Sequence, residues 1–115
     1  MDHDYLISTR TELSGAATVV SPSGDIDLGR SPTLRAHLKQ VQSKKPPRLI
    51  VDLGLVEYMD SSGVATLVEA LQTARKQQAS MVLCNMQDKV RSIFEIARLD
   101  TVFQIVPDVK TALEL

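Results

Sequence analysis

The apolar residues of this chain switch between a period of two and a period near 3.6 several times within 115 residues. That alternation limits the fold more than any other feature. Strands that alternate with helices lie parallel to their neighbours and are joined by right-handed crossovers. Tyr5-Leu6-Ile7-Ser8-Thr9 reads as a first strand and Ala16-Ala17-Thr18-Val19-Val20-Ser21 as a second. The turn signal Ser14-Gly15 between them predicts an antiparallel hairpin. A loop follows over residues 22–29, and Ser31-Pro32 then starts a helix, with Ser as cap and Pro at the first helical position. Leu34, Leu38 and Val41 lie along one face of that helix.

Ser43-Lys44-Lys45-Pro46-Pro47 breaks the pattern, and this basic stretch with Arg48 reads as a solvated loop. Leu49-Ile50-Val51-Asp52-Leu53 has the short, β-branched character of an interior strand. A long helix is predicted after Asp60-Ser61-Ser62-Gly63, with Val64, Leu67, Val68 and Leu71 as its buried stripe and residues 72–78 as its polar end. Ser80-Met81-Val82-Leu83-Cys84 gives a fourth strand. Val90, Ile93, Phe94 and Ala97 mark a third helix, and Val102-Phe103-Gln104-Ile105-Val106 a fifth strand. Pro107-Asp108 opens a closing helix with Val109, Ala112 and Leu113 inside. No repeat or linker interrupts the pattern, so residues 1–115 are expected to form one α/β domain with a mixed, mostly parallel five-stranded sheet.

Composition excludes several classes of function. Thirteen basic against fourteen acidic residues leave a net charge of −1, so no field draws in nucleic acid or an anionic membrane. Four aromatic residues and no tryptophan make a base-stacking platform improbable. No apolar run approaches the roughly 20 residues that span a bilayer. The polar, acidic start Met1-Asp2-His3-Asp4 is unlike a signal peptide, and the single cysteine, Cys84, sits in an apolar run as a reduced, buried thiol would. These features lead us to expect a soluble cytoplasmic domain.

Two loops attract chemistry, because each follows a strand's carboxyl end. They are Gly24-Asp25-Ile26-Asp27 and Asp60-Ser61-Ser62-Gly63. Asp60 or a following serine is what a helix N-cap looks like, and the same helix end offers free N–H groups and a partial positive charge to an anion. A hydrolytic role for Ser61 lacks a base: the histidines are His3 in the polar tail and His37 within a helix, and no Gly-x-Ser-x-Gly elbow exists. No Walker loop and no Cys/His cluster occur, so no cofactor is expected. Asp25 and Asp27 could pair on a divalent ion, but exposed turn acids are commoner, and no metal is expected either. A receiver domain fits poorly, because this acidic pair follows the second strand and no lysine lies at residues 102–106.

The run from Asp52 to Val64 (Asp-Leu-Gly-Leu-Val-Glu-Tyr-Met-Asp-Ser-Ser-Gly-Val) resembles the signature of STAS domains, most closely that of the bacterial anti-sigma-factor antagonists. Gly24-Asp25-Ile26-Asp27 is similar to that family's early Gly-Glu-Leu-Asp, with Asp for Glu and Ile for Leu. Residues 81–84 and 90–99 resemble its late strand and helix. The resemblance implies the STAS fold, with about four helices mainly on one face of the sheet, and a non-enzymatic partner switch. In such a switch the unphosphorylated protein binds an anti-sigma factor that is also a serine kinase. Phosphate on the serine after the Asp, here Ser61, releases that partner, and a PP2C-type phosphatase removes the phosphate. Asp27 corresponds to the family's loop aspartate, which contributes to partner binding. Gly24, Asp25, Asp60, Ser62 and Gly63 complete the expected docking region.

Ser62 is the alternative acceptor, better suited to capping or to a hydrogen bond within the loop. Gly63 serves either backbone access by a partner or a structural need for a small residue. Gly29-Arg30-Ser31-Pro32 departs from the family's polar run ending Thr-Ala, so partner contacts there are expected to differ. An accessory STAS subunit of a lipid-transport ATPase complex is the alternative role, one in which no serine needs to be phosphorylated.

Overall fold

The structure is a computed structural model and describes residues 6–115. Tyr5, expected in the first strand, and His3 lie outside the described residues. Five strands form one sheet in the order of the chain: β1 (Leu6–Glu12), β2 (Ala17–Ser23), β3 (Arg48–Asp52), β4 (Ser80–Cys84) and β5 (Gln104–Val106). β1 and β2 pair antiparallel, and every later pair is parallel. The expected mixed sheet is therefore present. The hairpin turns at residues 13–15, where Leu13, Ser14 and Gly15 all take left-handed backbone angles.

Helices α1 (Ser31–Ser43), α2 (Ser61–Lys76) and α3 (Asp88–Ile96) connect the parallel strands, and α4 (Val109–Leu113) closes the chain. Because the strand order never reverses, crossovers of one hand deliver successive helices to the same face. The strands show this directly. Val20, Leu49, Val51, Met81 and Leu83 point into a large core with Leu34 and Leu38 of α1, Leu67 and Leu71 of α2, and Phe94 of α3. Among the described residues, the alternate residues Ala17, Val19, Ile50, Val82 and Cys84 pack with Ala112 of α4, with Val109 and Leu113 partly buried beside it. Burial pushes the Cys84 thiol up to about 12, with Asp52 adding to the shift, so it is an inert core residue at neutral pH.

Several elements differ from their sequence reading. Arg48 is not part of a solvated loop. It opens β3, and its guanidinium donates to the carbonyls of Ala112 and Leu113 at 3.2 and 2.9 Å and to that of Leu115, holding the end of α4. Ser31 is not an N-cap, since Arg30 occupies that position and Ser31 begins the helix. The buried side of α2 is broader than one stripe: Gly63, Thr66, Leu67, Ala70, Leu71 and Ala74 are buried, whereas Val64 and Val68 are half-buried. This helix packs on the sheet and on α1 together, so it needs small residues as well as large ones. α3 ends before Ala97, which is exposed. β5 is shorter than expected: Val102 is exposed, while Phe103 packs edge-on against Phe94 at 5.5 Å instead of entering the strand.

One buried polar residue ties α1 to α2. Gln42 is 4% exposed, and its amide donates to the Ala70 carbonyl at 2.8 Å. Gln77 in turn donates to the Gln42 carbonyl at 3.0 Å. Gln42→Met should keep the volume and lose the bridge, lowering stability by about 0.5–1.5 kcal/mol. A shifted urea midpoint at unchanged slope would register this.

Candidate functional site

The loops after β2 and β3 run side by side and extend the sheet beyond its last ladder bonds. Gly24 N–H donates to Leu55 O at 2.9 Å, Ile26 N–H to Tyr58 O at 2.9 Å, and Asp60 N–H to Ile26 O at 3.1 Å. Ile26 and Met59 form a parallel bridge and are fully buried below it. A second set of bonds fixes the base of the later loop. Asp52 accepts from Gly54 N–H and from the Asn85 amide, both at 3.0 Å, and Gln87 donates to Gly54 O at 2.9 Å. Gly24 takes a left-handed φ of +100°, which lets the first loop turn away from β2.

Asp60 caps α2, as its position before the helix implies. One carboxylate oxygen accepts from Ser62 N–H at 2.9 Å, Gly63 N–H at 3.3 Å and the Ser62 hydroxyl at 2.5 Å. The other accepts Leu28 N–H at 3.1 Å, so the same side chain fastens the first loop to the second helix. The Ser62 hydroxyl bond and these three N–H groups hold the Asp60 carboxyl below its ordinary value of 3.8, against a smaller opposing effect of burial.

A depressed carboxylate stabilises the fold fully above its ordinary value and loses that effect as pH falls through the lowered one. Thermal melts from neutral pH downward should therefore show an acid-limb loss of stability in the wild type that is diminished in Asp60→Asn. Identical limbs in both proteins would contradict the role given to this cap.

The two serines after Asp60 have opposite surroundings. Ser61 is exposed, and its hydroxyl has no hydrogen-bond partner among the described residues. Ser62 is half-buried, with its hydroxyl held between Asp60 and Ser31 Oγ, the latter at 2.7 Å. An ionised Asp60 can only accept, so the Ser62 proton is committed to it and Ser31 supplies the remaining hydrogen. Ser31 is 3% exposed, and its hydroxyl lies equally 2.7 Å from Asp27 O, so its single hydrogen is shared between that carbonyl and Ser62 Oγ. Asp27, half-buried, accepts Arg30 N–H at 3.1 Å on its carboxylate.

The structure thus brings Asp27, Asp60, Ser61 and Ser62 together around the start of α2. Asp25 is exposed on the outer turn and Gly24 half-buried behind it. Gly63 is buried against Met59 and Ile26 and does not reach the surface, which favours the structural reading of its small size. The sequence reading missed Ser31 as the link between the loops. It also missed the exposed apolar side chains Leu28, Leu55 and Tyr58 that flank the site. Nothing in a local string tells whether a loop leucine faces the core. Among the described residues no group of three or more His, Cys, Asp or Glu could hold a metal, and no helix is long and apolar enough to cross a membrane. His37, the one described histidine, is partnered by Thr9 and is not part of these loops.

A model of the STAS domain matches residues 8–112. The chain belongs to the STAS domain family. Its sequence is 34% identical over 83 residues to the anti-sigma-B factor antagonist of Listeria monocytogenes, covering 72% of this chain and 73% of that protein. An anti-sigma factor antagonist from Mycobacterium paratuberculosis superposes with a TM-score of 0.83 at 28% identity, over 95% of this chain and 92% of the other. SpoIIAA shares the fold in its unphosphorylated form (TM-score 0.70, 15% identity, 92% of each chain). It does so equally in its phosphorylated form (TM-score 0.72, 16% identity, 95% of this chain and 97% of the other). The expected STAS architecture, with most helices on one face, is the one observed.

Proposed function

We propose that this STAS domain is an anti-sigma-factor antagonist switched by phosphate on Ser61. It acts as a non-enzymatic binding module in the cytoplasm. With Ser61 free it docks an anti-sigma factor that is also a serine kinase; with Ser61 phosphorylated it lets that partner go, and a PP2C-type phosphatase restores the free form. Gly24, Asp25, Asp27, Asp60 and Ser62 shape the docking surface around the hydroxyl, and Gly63 lies beneath it.

The observation that carries this reading is the contrast between the two serines. A kinase needs a hydroxyl that can leave the surface and enter its own active site. Ser61 is exposed and unbonded, whereas Ser62 is held by Asp60 and Ser31. The relatives named as anti-sigma factor antagonists support the class of partner. Incubation with a serine kinase of that class and ATP, followed by peptide mass spectrometry, should find phosphate on Ser61. Phosphate confined to Ser62, or none, would overturn the assignment.

A further inference from the structure

A second place in the molecule has the features of a binding site. β1, β2 and the C-terminal end of α1 border a groove of about 250 Å³, open to solvent at the exposed Thr9, Thr11, Gln40 and Lys44 and lined further in by Thr18, His37 and Val41. Its sheet wall follows from the register: Thr11 lies directly opposite Thr18, and Thr9 is two residues along on the same face of β1. Its helix wall follows from spacing, since residues 37, 40 and 41 of α1 and its C-cap Lys44 are i, i+3, i+4 and i+7. A helix lying flat on a sheet would place apolar residues on that flank. Here three of the four are polar or cationic.

Thr18 is the informative residue. It is 8% exposed, and its hydroxyl has no hydrogen-bond partner among the described residues although it lines the groove. Buried hydroxyls are nearly always paired, so an unpartnered one facing this groove is available to a ligand that competes with water for it. One bridging water does not fill the groove, because a water's share of liquid volume is about 30 Å³. The room suits a small organic molecule rather than a nucleotide.

The lining defines the chemistry. Among the described residues Lys44 contributes an ammonium without an ion pair, Gln40 an amide, and Thr11 and Thr18 hydroxyls, and no carboxylate lines the groove. These groups can all donate to an acceptor-only anion. Val41 and the threonine methyls offer an apolar wall to the remainder of the ligand. We propose that this groove binds a small organic monocarboxylate, with its carboxylate toward Thr18 and Lys44 and its apolar body against Val41. The inference is independent of the role given to Ser61, because it concerns a different part of α1 and β2.

The test uses the full chain and two probes, sodium benzoate and sodium butyrate, followed by amide NMR spectra, with sodium sulfate at matched ionic strength as control. Saturable shifts centred on Thr11, Thr18 and residues 40–44 are expected with at least one carboxylate. Thr18→Val, which removes the hydroxyl at nearly constant shape, should weaken binding by about tenfold or more, and Lys44→Met should do likewise. Because the lost hydroxyl is unpaired, Thr18→Val should not lower the melting temperature, so weaker binding cannot be ascribed to unfolding. Absence of saturation with both probes, equal binding by Thr18→Val, or an equal response to sulfate would each overturn the proposal.

Discussion

Ser61→Asp should weaken docking of the anti-sigma factor on the order of a hundredfold while leaving the melting temperature nearly unchanged. The two effects differ because one charge meets two environments. In the free protein the carboxylate sits in water at the first turn of α2, which has no acidic side chain of its own. A negative charge there gains roughly 0.3–1 kcal/mol from the helix dipole. Asp27 and Asp60 nearby offset part of that gain, so the net change in stability stays within about 0.5 kcal/mol, as for most exposed substitutions. In the proposed complex the same charge would be pressed between two proteins, where an unpaired buried ion costs about 3–5 kcal/mol. Each 1.4 kcal/mol is about tenfold in affinity, so the binding term dominates. Calorimetric titration paired with thermal melts separates the two. A variant that binds normally, or one that fails to fold, would contradict the account.

Gly63→Ala is expected to be the most damaging single-methyl change near the site. A Cβ at Gly63 would lie 2.6 Å from Met59 Cγ, 2.8 Å from Ile26 Cγ2 and 3.1 Å from Ile26 O. Methionine can move aside. The Ile26 main chain cannot do so freely, because its carbonyl receives Asp60 N–H and its own N–H donates to Tyr58. Overpacking of about 1–3 kcal/mol outweighs the gain of at most about 1 kcal/mol from replacing a helical glycine. A urea denaturation curve should show a net loss of about 1–2 kcal/mol, from the same two magnitudes. Because the displaced atoms hold the cap, partner binding should fall too, even though position 63 is buried. An unchanged midpoint would mean that the two loops are not rigidly zipped.

Period and punctuation made the architecture legible in the sequence, and they failed where packing decided the outcome. β3 was readable because Leu49, Ile50 and Val51 are apolar on both sides, as a strand covered on two faces must be. Asp60 was readable because an N-cap needs only its own neighbours. The limits of α2's buried face were not, since they depend on how α1 and the sheet converge on it. The true length of β5 was hidden because Phe103 has strand propensity but is drawn out of the ladder by Phe94. The Ser31–Ser62 contact joins residues 31 positions apart, beyond the reach of any local motif. The groove at Thr18 was equally invisible, because it is made by register between β1 and β2 and by the last two turns of α1 facing them.

Phosphate itself carries a charge of about −1.5 to −2 at neutral pH where aspartate carries one. The decisive measurement compares one preparation in two forms, unphosphorylated and stoichiometrically phosphorylated on Ser61. Each is titrated with the anti-sigma factor and followed by amide NMR for its fold. Tight binding is expected only in the first form, with spectral differences in the free proteins confined to the α2 N-terminus and the loops around Asp27 and Asp60. Equal affinity of the two forms, or a rearranged core in the phosphorylated one, would contradict that expectation.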